Sequence, residues 1–464
     1  MSLLREGEWS RLFKEEFALF YSVFKWLVLA VVIGVFVGTA VSTFMLALEK
    51  CSKGVGSLPP WRILLLPLGL LASVSMVRYL KVADSTQGTE SVVEAVHHHQ
   101  GRIDVYTVIV KVIAAVITIS TGGSLGQEGP SAQIGSAVSN VFATGFRLND
   151  IDRRKLVVCG VSAGMASVFG APVAGAVFGL EVLYVGQVFY DVLLPCIVSG
   201  MVSYQVSLNL GMAYIYQPLL YIPKMTGPHV LLWVVLAGVF FGLVALLFIE
   251  VLHLARRGYR KLAFHPLFSA FCGGLFLVLL SSVVGPRYVG LGSQTITDAI
   301  TGQEIPKLAF FWKSLFTGLT KGAGGSGGVV TPTLFIGAAS GATFASIFSL
   351  DPVLFSCIGF VAVLAGAANT PIAATILAAE LFGSRVASLA AIASVITFVV
   401  SGYRSIYPDQ IVKCPKSPLL DICDEYRRVG EYEFDPMLLK LPMVRLVVRN
   451  YRLWRKQRKI ARKQ

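Results

Sequence analysis

The chain has 464 residues, of which 55% are hydrophobic and only 14% are charged, and its formal net charge is +14. Soluble globular domains carry about 25% charged residues. The composition therefore excludes an ordinary soluble globule and indicates that most of the protein surface faces lipid.

Apolar stretches long enough to cross a bilayer, which takes about 20 residues, recur along the chain. The clearest are 21–48, 63–80, 103–121, 187–207, 229–253, 264–284, 309–320 with its neighbours, and 385–402. Three further apolar segments are interrupted by Gly, Pro or Asn, namely 155–184, 329–348 and 353–382. Interrupted hydrophobic segments are typical of helices that only partly cross the membrane. The sequence predicts an all-α polytopic membrane protein.

Clusters of charge predict the orientation of the chain. Residues 1–17 mix acidic and basic side chains and suggest an amphipathic cytoplasmic lead-in, with no evident cleavable signal peptide. Basic clusters lie at 147–155 and 256–261, and nine Lys or Arg with no acid lie within 445–463. Because basic residues collect in cytoplasmic loops, we expect both termini to be cytoplasmic and the protein to reside in the plasma (inner) membrane. The basic tail is expected to contact anionic lipid headgroups; nucleic acid is the alternative, which we do not expect for a juxtamembrane tail.

Neither cysteine nor histidine residues form a metal-binding pattern. The seven cysteines show no paired spacing, and the six histidines, three of them consecutive at 97–99, do not form an H-E-x-x-H motif. We expect no metal and no other cofactor.

An internal repeat divides the chain into two halves. Residues 122–135 read GGSLGQEGPSAQIG and residues 324–337 read GGSGGVVTPTLFIG, and they share glycines, a serine and a proline without gaps. Residues 172–181 (PVAGAVFGLE) match 371–380 (PIAATILAAE) at nearly the same offset. Duplicated halves with the binding site at their interface are a common plan for transporters. The simpler interpretation, that small residues only allow helices to pack closely, suits Gly164, Gly175 and Gly341.

Each Gly-rich run predicts a flexible loop that enters a helix. Proline is favoured in the first helical turn, and the glycines let the backbone approach a ligand. A helix N-terminus offers unpaired N–H groups and the positive end of the helix dipole, which together bind anions. Two such termini, one from each half, would hold an anion weakly enough to release it. The phosphate-loop alternative fails because neither run ends in Gly-Lys-Ser/Thr.

Three glutamates stand out in these repeated segments. Glu128 lies in the first Gly-rich run, where the second run has Val330. Burying a carboxylate at membrane depth costs free energy, so its presence suggests a function. We expect Glu128 to act as a gate that occupies the place of the anion. The alternative is that it caps its own helix. Glu181 and Glu380 match between the halves, and a repeated acid suggests a structural role.

These residues resemble the CLC family of chloride channels and chloride/proton antiporters, from about residue 20 to 412. Gly126-Gln127-Glu128-Gly129-Pro130 is similar to the family's G-x-E-G-P motif with its gating glutamate. Gly328-Val329-Val330-Thr331-Pro332 is similar to G-x-F-x-P, whose amides, at Val329 and Val330 here, would contact the anion. Arg404-Ser405-Ile406-Tyr407 resembles the segment carrying the anion-facing tyrosine; the alternative for Tyr407 is an interfacial aromatic.

The resemblance implies about 18 helices in two inverted-topology repeats, many only partly crossing the bilayer, and a homodimer with one chloride path in each subunit. We expect three regions, which are a lead-in at 1–19, the transport domain at 20–412 with repeats at about 60–207 and 229–412, and a basic tail at 413–464 without a paired nucleotide-sensing domain.

Two positions depart from the family pattern. The first motif, G-S-G-I/V-P, corresponds best to Thr86-Gln87-Gly88-Thr89-Glu90, which makes Gln87 and Gly88 candidate anion ligands, although a register shift offers Ser85 instead. At the position where antiporters carry an inner proton acceptor, this chain has Val182, as channels do. The sequence therefore favours a gated anion channel, with a chloride/proton antiporter using Glu128 as the alternative.

Two other classes of function are not expected. An intramembrane enzyme would need a nucleophile with a base, or metal ligands, at membrane depth, and the sequence shows neither. The sequence also shows no signature of a sodium-coupled organic solute carrier.

Overall fold

The computed structural model of the chain describes residues 6–80, 88–214, 228–262, 265–414, 416 and 428–429, and these residues are mostly helical. The first eight helices are α1 Glu6–Gly56, α2 Leu65–Tyr79, α3 Thr89–His98, α4 Val105–Ser120, α5 Glu128–Gly145, α6 Asp150–Phe169, α7 Pro172–Glu181 and α8 Tyr190–Asn209. The next eight are α9 Pro228–Leu262, α10 Pro266–Val284, α11 Ser293–Ile300, α12 Ala309–Gly322, α13 Val330–Phe348, α14 Pro352–Ala368, α15 Pro371–Phe382 and α16 Ser384–Val400. Two short strands, β1 (Tyr184–Val185) and β2 (Ile411–Val412), pair in parallel.

The helical polytopic membrane fold that the sequence predicts is confirmed. Six described helical segments are long and apolar enough to cross a membrane, namely Glu15–Gly56, Trp61–Tyr79, Tyr190–Asn209, His229–Tyr259, Pro266–Val284 and Val330–Phe348. The predicted spans at 103–121, 309–320 and 385–402 form α4, α12 and α16, which have 16, 14 and 17 residues. At 1.5 Å per residue, these helices are shorter than a full bilayer crossing.

The described residues form sixteen α-helices where the resemblance implies about eighteen. α1 is one continuous helix of 51 residues, which runs through the expected boundary between the lead-in and the first span. Two of the three interrupted segments break as expected. α6 is followed by Gly170 and α14 by Asn369, and both of these capping residues have a left-handed backbone conformation. The next helix begins with a proline in each case. These two breaks lie at the offset of the repeat.

The third segment was expected to be interrupted but is continuous, because α13 runs unbroken for 19 residues. Pro332 lies in its first turn, where no intrahelical hydrogen bond is lost. Gly341 is buried against α14, where an added Cβ would lie 2.0 Å from the carbonyl oxygen of Phe355. Gly164 and Gly175 likewise contact backbone atoms of neighbouring helices, so the packing interpretation of these glycines is confirmed.

The two halves repeat the same packing. α1 packs on α8 as α9 packs on α16, and α5 packs on α6 as α13 packs on α14. The buried core runs through both halves and is centred on α6, α13 and α14, in which most side chains are buried.

Glu181 and Glu380 join the halves by capping each other's helices. The Glu181 carboxylate accepts hydrogen bonds from the amides of Ile372 and Ala373 at 3.0 and 2.8 Å, in the first turn of α15. The Glu380 carboxylate accepts from Val173 and Ala174 at 3.0 and 2.8 Å, in the first turn of α7. A carboxylate satisfies the unpaired amides of a helix N-terminus and complements its dipole. The structural role expected for both acids is confirmed.

Candidate anion pathway

The two Gly-rich runs meet as an antiparallel pair. The amide of Gly126 donates to the carbonyl of Gly328 at 2.7 Å, and the amide of Gly328 donates to the carbonyl of Gly126, also at 2.7 Å. Two residues after each glycine, a helix begins, α5 at Glu128 and α13 at Val330. The repeated motif therefore brings two helix N-termini together, as the sequence predicts.

Close backbone contact explains the glycines at this crossing. An added Cβ on Gly129 would lie 2.8 Å from the Cα of Gly328 and 3.0 Å from the Cα of Gly88. Contacts this short would force the three loops apart. Gly88 also has φ +71 and precedes α3. The loops that carry Gly88, Gly129 and Gly328 therefore converge at one point.

Glu128 crosses from its own half to the helix of the other half. Its side chain is buried, and its carboxylate accepts a hydrogen bond from the amide of Thr331 at 3.1 Å. The hydroxyl of Thr331 donates to the other carboxylate oxygen. The Glu128 carboxylate thus lies at the N-terminus of α13, the position at which the sequence predicts an anion.

A small cavity lies beside this crossing. It is lined by Thr89, Glu90, Arg256, Lys321, Gly327, Gly328, Val329, Ile406 and Tyr407. The hydroxyls of Thr89 and Tyr407 are both buried and interact with each other, but neither makes a hydrogen bond of good geometry to any described residue. Buried polar groups in native proteins are nearly always hydrogen-bonded, so these two hydroxyls are available to donate to a ligand in the cavity that accepts hydrogen bonds.

The predicted anion-site residues fall into three groups. Val329 and Tyr407 line the cavity, as Gly328 does, and Gly88 lies at the loop crossing. Val330 is buried as the first residue of α13, and Pro130 lies in the first turn of α5. Gln87 and the alternative Ser85 lie outside the described residues.

Thr89 was not predicted as a ligand. It begins α3, directly after Gly88, and its hydroxyl is available where the register analysis sought a serine. The signal in the sequence was a hydroxyl two positions after Gln87. That signal was weak because the motif itself is poorly matched there.

Val182 lies among buried side chains. It is fully buried at the C-terminal end of α7, and its carbonyl accepts a hydrogen bond from the Gln410 side chain at 2.8 Å. The neighbouring Phe178, Leu180 and Leu183 are also buried.

The three consecutive histidines lie away from this cavity lining. The His97 ring is 2.9 Å from the carbonyl of Leu183 and contacts the Tyr184 ring edge to face. No group of three or more His, Cys, Asp or Glu in the described part of the chain is arranged to hold a metal ion.

Helices that cross a membrane around two facing helix N-termini define an integral membrane protein of the ion-transport class. The family model "Voltage gated chloride channel" matches residues 68–402. The chain belongs to this family, whose members conduct or transport anions, and the resemblance found in the sequence is confirmed.

Relatives of known name cover most of the chain. It is 36% identical to the "Chloride/fluoride channel protein" of Pseudomonas syringae pv. tomato, over 86% of this chain and 89% of that one. It is 28% identical to the "Voltage-gated ClC-type chloride channel ClcB" of Escherichia coli, over 84% of this chain and 98% of that one.

Solved structures share the fold. The crystal structure of a CLC-type fluoride/proton antiporter is 28% identical, has a TM-score of 0.79, and covers 84% of this chain and 98% of that one. A slow cyanobacterial Cl⁻/H⁺ antiporter, at 21% identity and a TM-score of 0.69, covers 81% of this chain and 94% of that one.

Proposed function

We propose that this protein exchanges a small inorganic anion, chloride or fluoride, for protons, with Glu128 as both gate and coupling acid. The observation that carries the proposal is the Glu128 carboxylate hydrogen-bonded to the amide of Thr331 at the N-terminus of α13. An ionised carboxylate competes with an anion for that position. A protonated carboxyl group has lost the charge that the helix terminus stabilises, so it yields the position to the anion.

Relatives support exchange over the passive channel that the sequence alone favours. The solved structure with 28% identity is named a fluoride/proton antiporter. The 36% identical relative is named for both chloride and fluoride, which supports these two ions as the candidate substrates. Passive conduction remains the second candidate, because Val182 supplies no inner proton acceptor and the named relatives are called channels.

We propose that the anion binds between the amides at the start of α13 and the two buried hydroxyls. Val329 and Val330 supply the amides, while Thr89 and Tyr407 supply the hydroxyl donors. Gln87 and Gly88 remain predicted contributors. Gln87→Ser is expected to change the ratio of chloride to fluoride transport if that side chain reaches the site.

The remaining expectations follow from family membership and charge. We propose a homodimer, cytoplasmic termini, a plasma (inner) membrane location, and contact between the basic tail and anionic lipid. The transport domain is proposed to span residues 20–412, with the tail at 413–464.

Reconstitution into liposomes tests the proposed exchange. Chloride and fluoride efflux should both be recorded, each together with the external pH, for the wild-type protein and for Glu128→Gln. Anion efflux with proton uptake in the wild type, and anion efflux without proton uptake in Glu128→Gln, is the expected result. Anion efflux that moves no protons in the wild type would leave the channel as the function.

A further inference from the structure

The cavity beside the anion site contains a buried ion pair that the sequence motifs do not explain. The Arg256 guanidinium donates two hydrogen bonds to the Glu90 carboxylate, at 3.1 and 3.0 Å. Glu90 lies in the first turn of α3 and its side chain is 6% exposed, while that of Arg256, near the end of α9, is 20% exposed. Moving both charges out of water costs free energy, and the attraction between them offsets that cost only in part. A buried ion pair therefore adds little to the stability of the fold, which leaves room for a role in function.

The ion pair shares its cavity with the anion-binding groups. Glu90 and Arg256 line the same space as the buried hydroxyls of Thr89 and Tyr407 and the Gly328–Val329 backbone. The Tyr407 hydroxyl interacts electrostatically with the carboxylates of both Glu128 and Glu90. Two acids therefore lie near the Tyr407 hydroxyl, Glu128 at the start of α13 and Glu90 beside Arg256.

The topology expected from the basic clusters places the Glu90 side of the cavity toward the cytoplasm. Arg256 belongs to the basic cluster that ends α9, and basic clusters mark cytoplasmic helix ends. Arg256 is the more exposed member of the pair, so the carboxylate lies deeper in the protein than the guanidinium. An anion that leaves the cavity on this side meets Arg256.

Several charged and titratable side chains surround Glu90. The charged or titratable groups that the described residues place around Glu90 are Arg256 and His253 on α9, Lys321 on α12, Glu94 on α3, Tyr407 and Asp409. Lys321 also lines the cavity and donates to the carbonyl of Gly327 at 3.1 Å. If Glu90 became neutral, Arg256 would lose the carboxylate with which it pairs, and a transported anion would supply a negative charge in its place.

We propose that Glu90 is the inner proton acceptor of the transport cycle, at a position other than Val182. A proton from the cytoplasm binds the Glu90 carboxylate, and the anion takes the place of that carboxylate beside Arg256. When the anion leaves for the cytoplasm, the Glu90 proton passes outward to Glu128 and the carboxylate pairs with Arg256 again. The proton and the anion thus move in opposite directions, and no charge stays uncompensated.

This inference rests on the proposed exchange, and two variants separate the two claims. Glu90→Gln keeps the shape and one hydrogen-bond acceptor but cannot exchange a proton, whereas Glu90→Asp keeps a titratable group. Glu250→Gln is the matched control, because Glu250 also pairs with an arginine, Arg404, at 3.3 Å but does not line the cavity.

The measurement is proton uptake per anion released from liposomes at symmetric pH. We expect the ratio to fall to below about a tenth of the wild-type value in Glu90→Gln, as for the loss of a proton-transferring group. Anion flux should persist, and Glu90→Asp and Glu250→Gln should retain coupling. If Glu90→Gln does not fold, Glu90→Gln combined with Arg256→Gln removes both buried charges and should show the same loss of coupling. A wild-type ratio in Glu90→Gln would overturn this role while leaving the exchange intact; a wild-type protein that moves no protons would instead overturn the exchange and this inference with it.

Discussion

The Glu128 carboxylate lies 3.1 Å from the amide of Thr331, a residue 203 positions further along the chain. The contact links the first turns of two helices, α5 and α13, that begin at equivalent points of the repeat. Under the proposed function, a carboxylate at this helix terminus corresponds to a closed gate. The first three predictions below concern this gate and the anion site behind it.

Thr331→Val should weaken the closed gate. The substitution removes the hydroxyl that donates to Glu128 and leaves the backbone amide in place. A hydrogen bond to a charged group contributes about 1.5–3 kcal/mol, so anion flux at neutral pH should rise by about tenfold. Thr331→Ser retains the hydroxyl and serves as the control. Equal flux in the wild type and both variants would show that this hydroxyl does not hold the gate.

Acidification should open the gate through Glu128. Protonation removes the charge that competes with the anion, so wild-type anion flux should increase as pH falls. Glu128→Gln resembles the protonated side chain and should give a high flux that does not change with pH. The measurement is initial anion efflux from liposomes over a series of symmetric pH values. If Glu128→Gln kept the wild-type pH dependence, another group would have to be the gate.

The buried hydroxyls of Thr89 and Tyr407 should contribute to anion affinity. Thr89→Val and Tyr407→Phe each remove one donor, and a net loss of about 0.5–1.5 kcal/mol per hydrogen bond corresponds to a several-fold weaker Kd. Isothermal titration with chloride or fluoride measures the change.

One control keeps the hydroxyl at the site, and the other removes a tyrosine hydroxyl outside the site. Thr89→Ser retains a hydroxyl at the same position. Tyr403→Phe removes a tyrosine hydroxyl that accepts a hydrogen bond from the amide of Lys416. An unchanged Kd in both Thr89→Val and Tyr407→Phe would show that the anion does not bind between these groups.

Glu181 should affect stability and leave proton coupling unchanged. Glu181→Ala removes two charge-assisted hydrogen bonds to the start of α15, and Glu380→Ala removes the equivalent pair at α7. Each substitution should lower the free energy of unfolding by about 2–3 kcal/mol, because amides at a buried helix end lose their acceptor. Thermal unfolding in detergent compares the two variants. A stable Glu181→Ala protein that has lost proton coupling would instead place Glu181 on the proton route.

Much of the site could be predicted because it depends on local sequence. Glycine and proline in the two runs predict the local backbone conformation, a loop that leads into a helix. The repeat predicts that the two loops form one site, with Glu128 in the first of them. The pairings across the fold could not be predicted. Arg256 and Glu90 are 166 positions apart, and nothing in either segment indicates the other.

Two other differences arise from packing. The sequence predicts an interruption within 329–348, but Pro332 lies in the first turn and Gly341 packs against α14, so α13 is continuous through the core. Thr89 was overlooked because a hydroxyl becomes notable only when its lack of a hydrogen bond of good geometry is visible.

Uphill proton movement tests the central claim most directly. Wild-type protein in liposomes with a high internal chloride or fluoride concentration, and equal pH on both sides, should take up protons as the anion leaves. The uptake should continue against the resulting pH gradient and should be absent in Glu128→Gln, which still releases the anion. Release of the anion at the wild-type rate with no proton movement against the gradient would contradict the account and identify the protein as a passive channel.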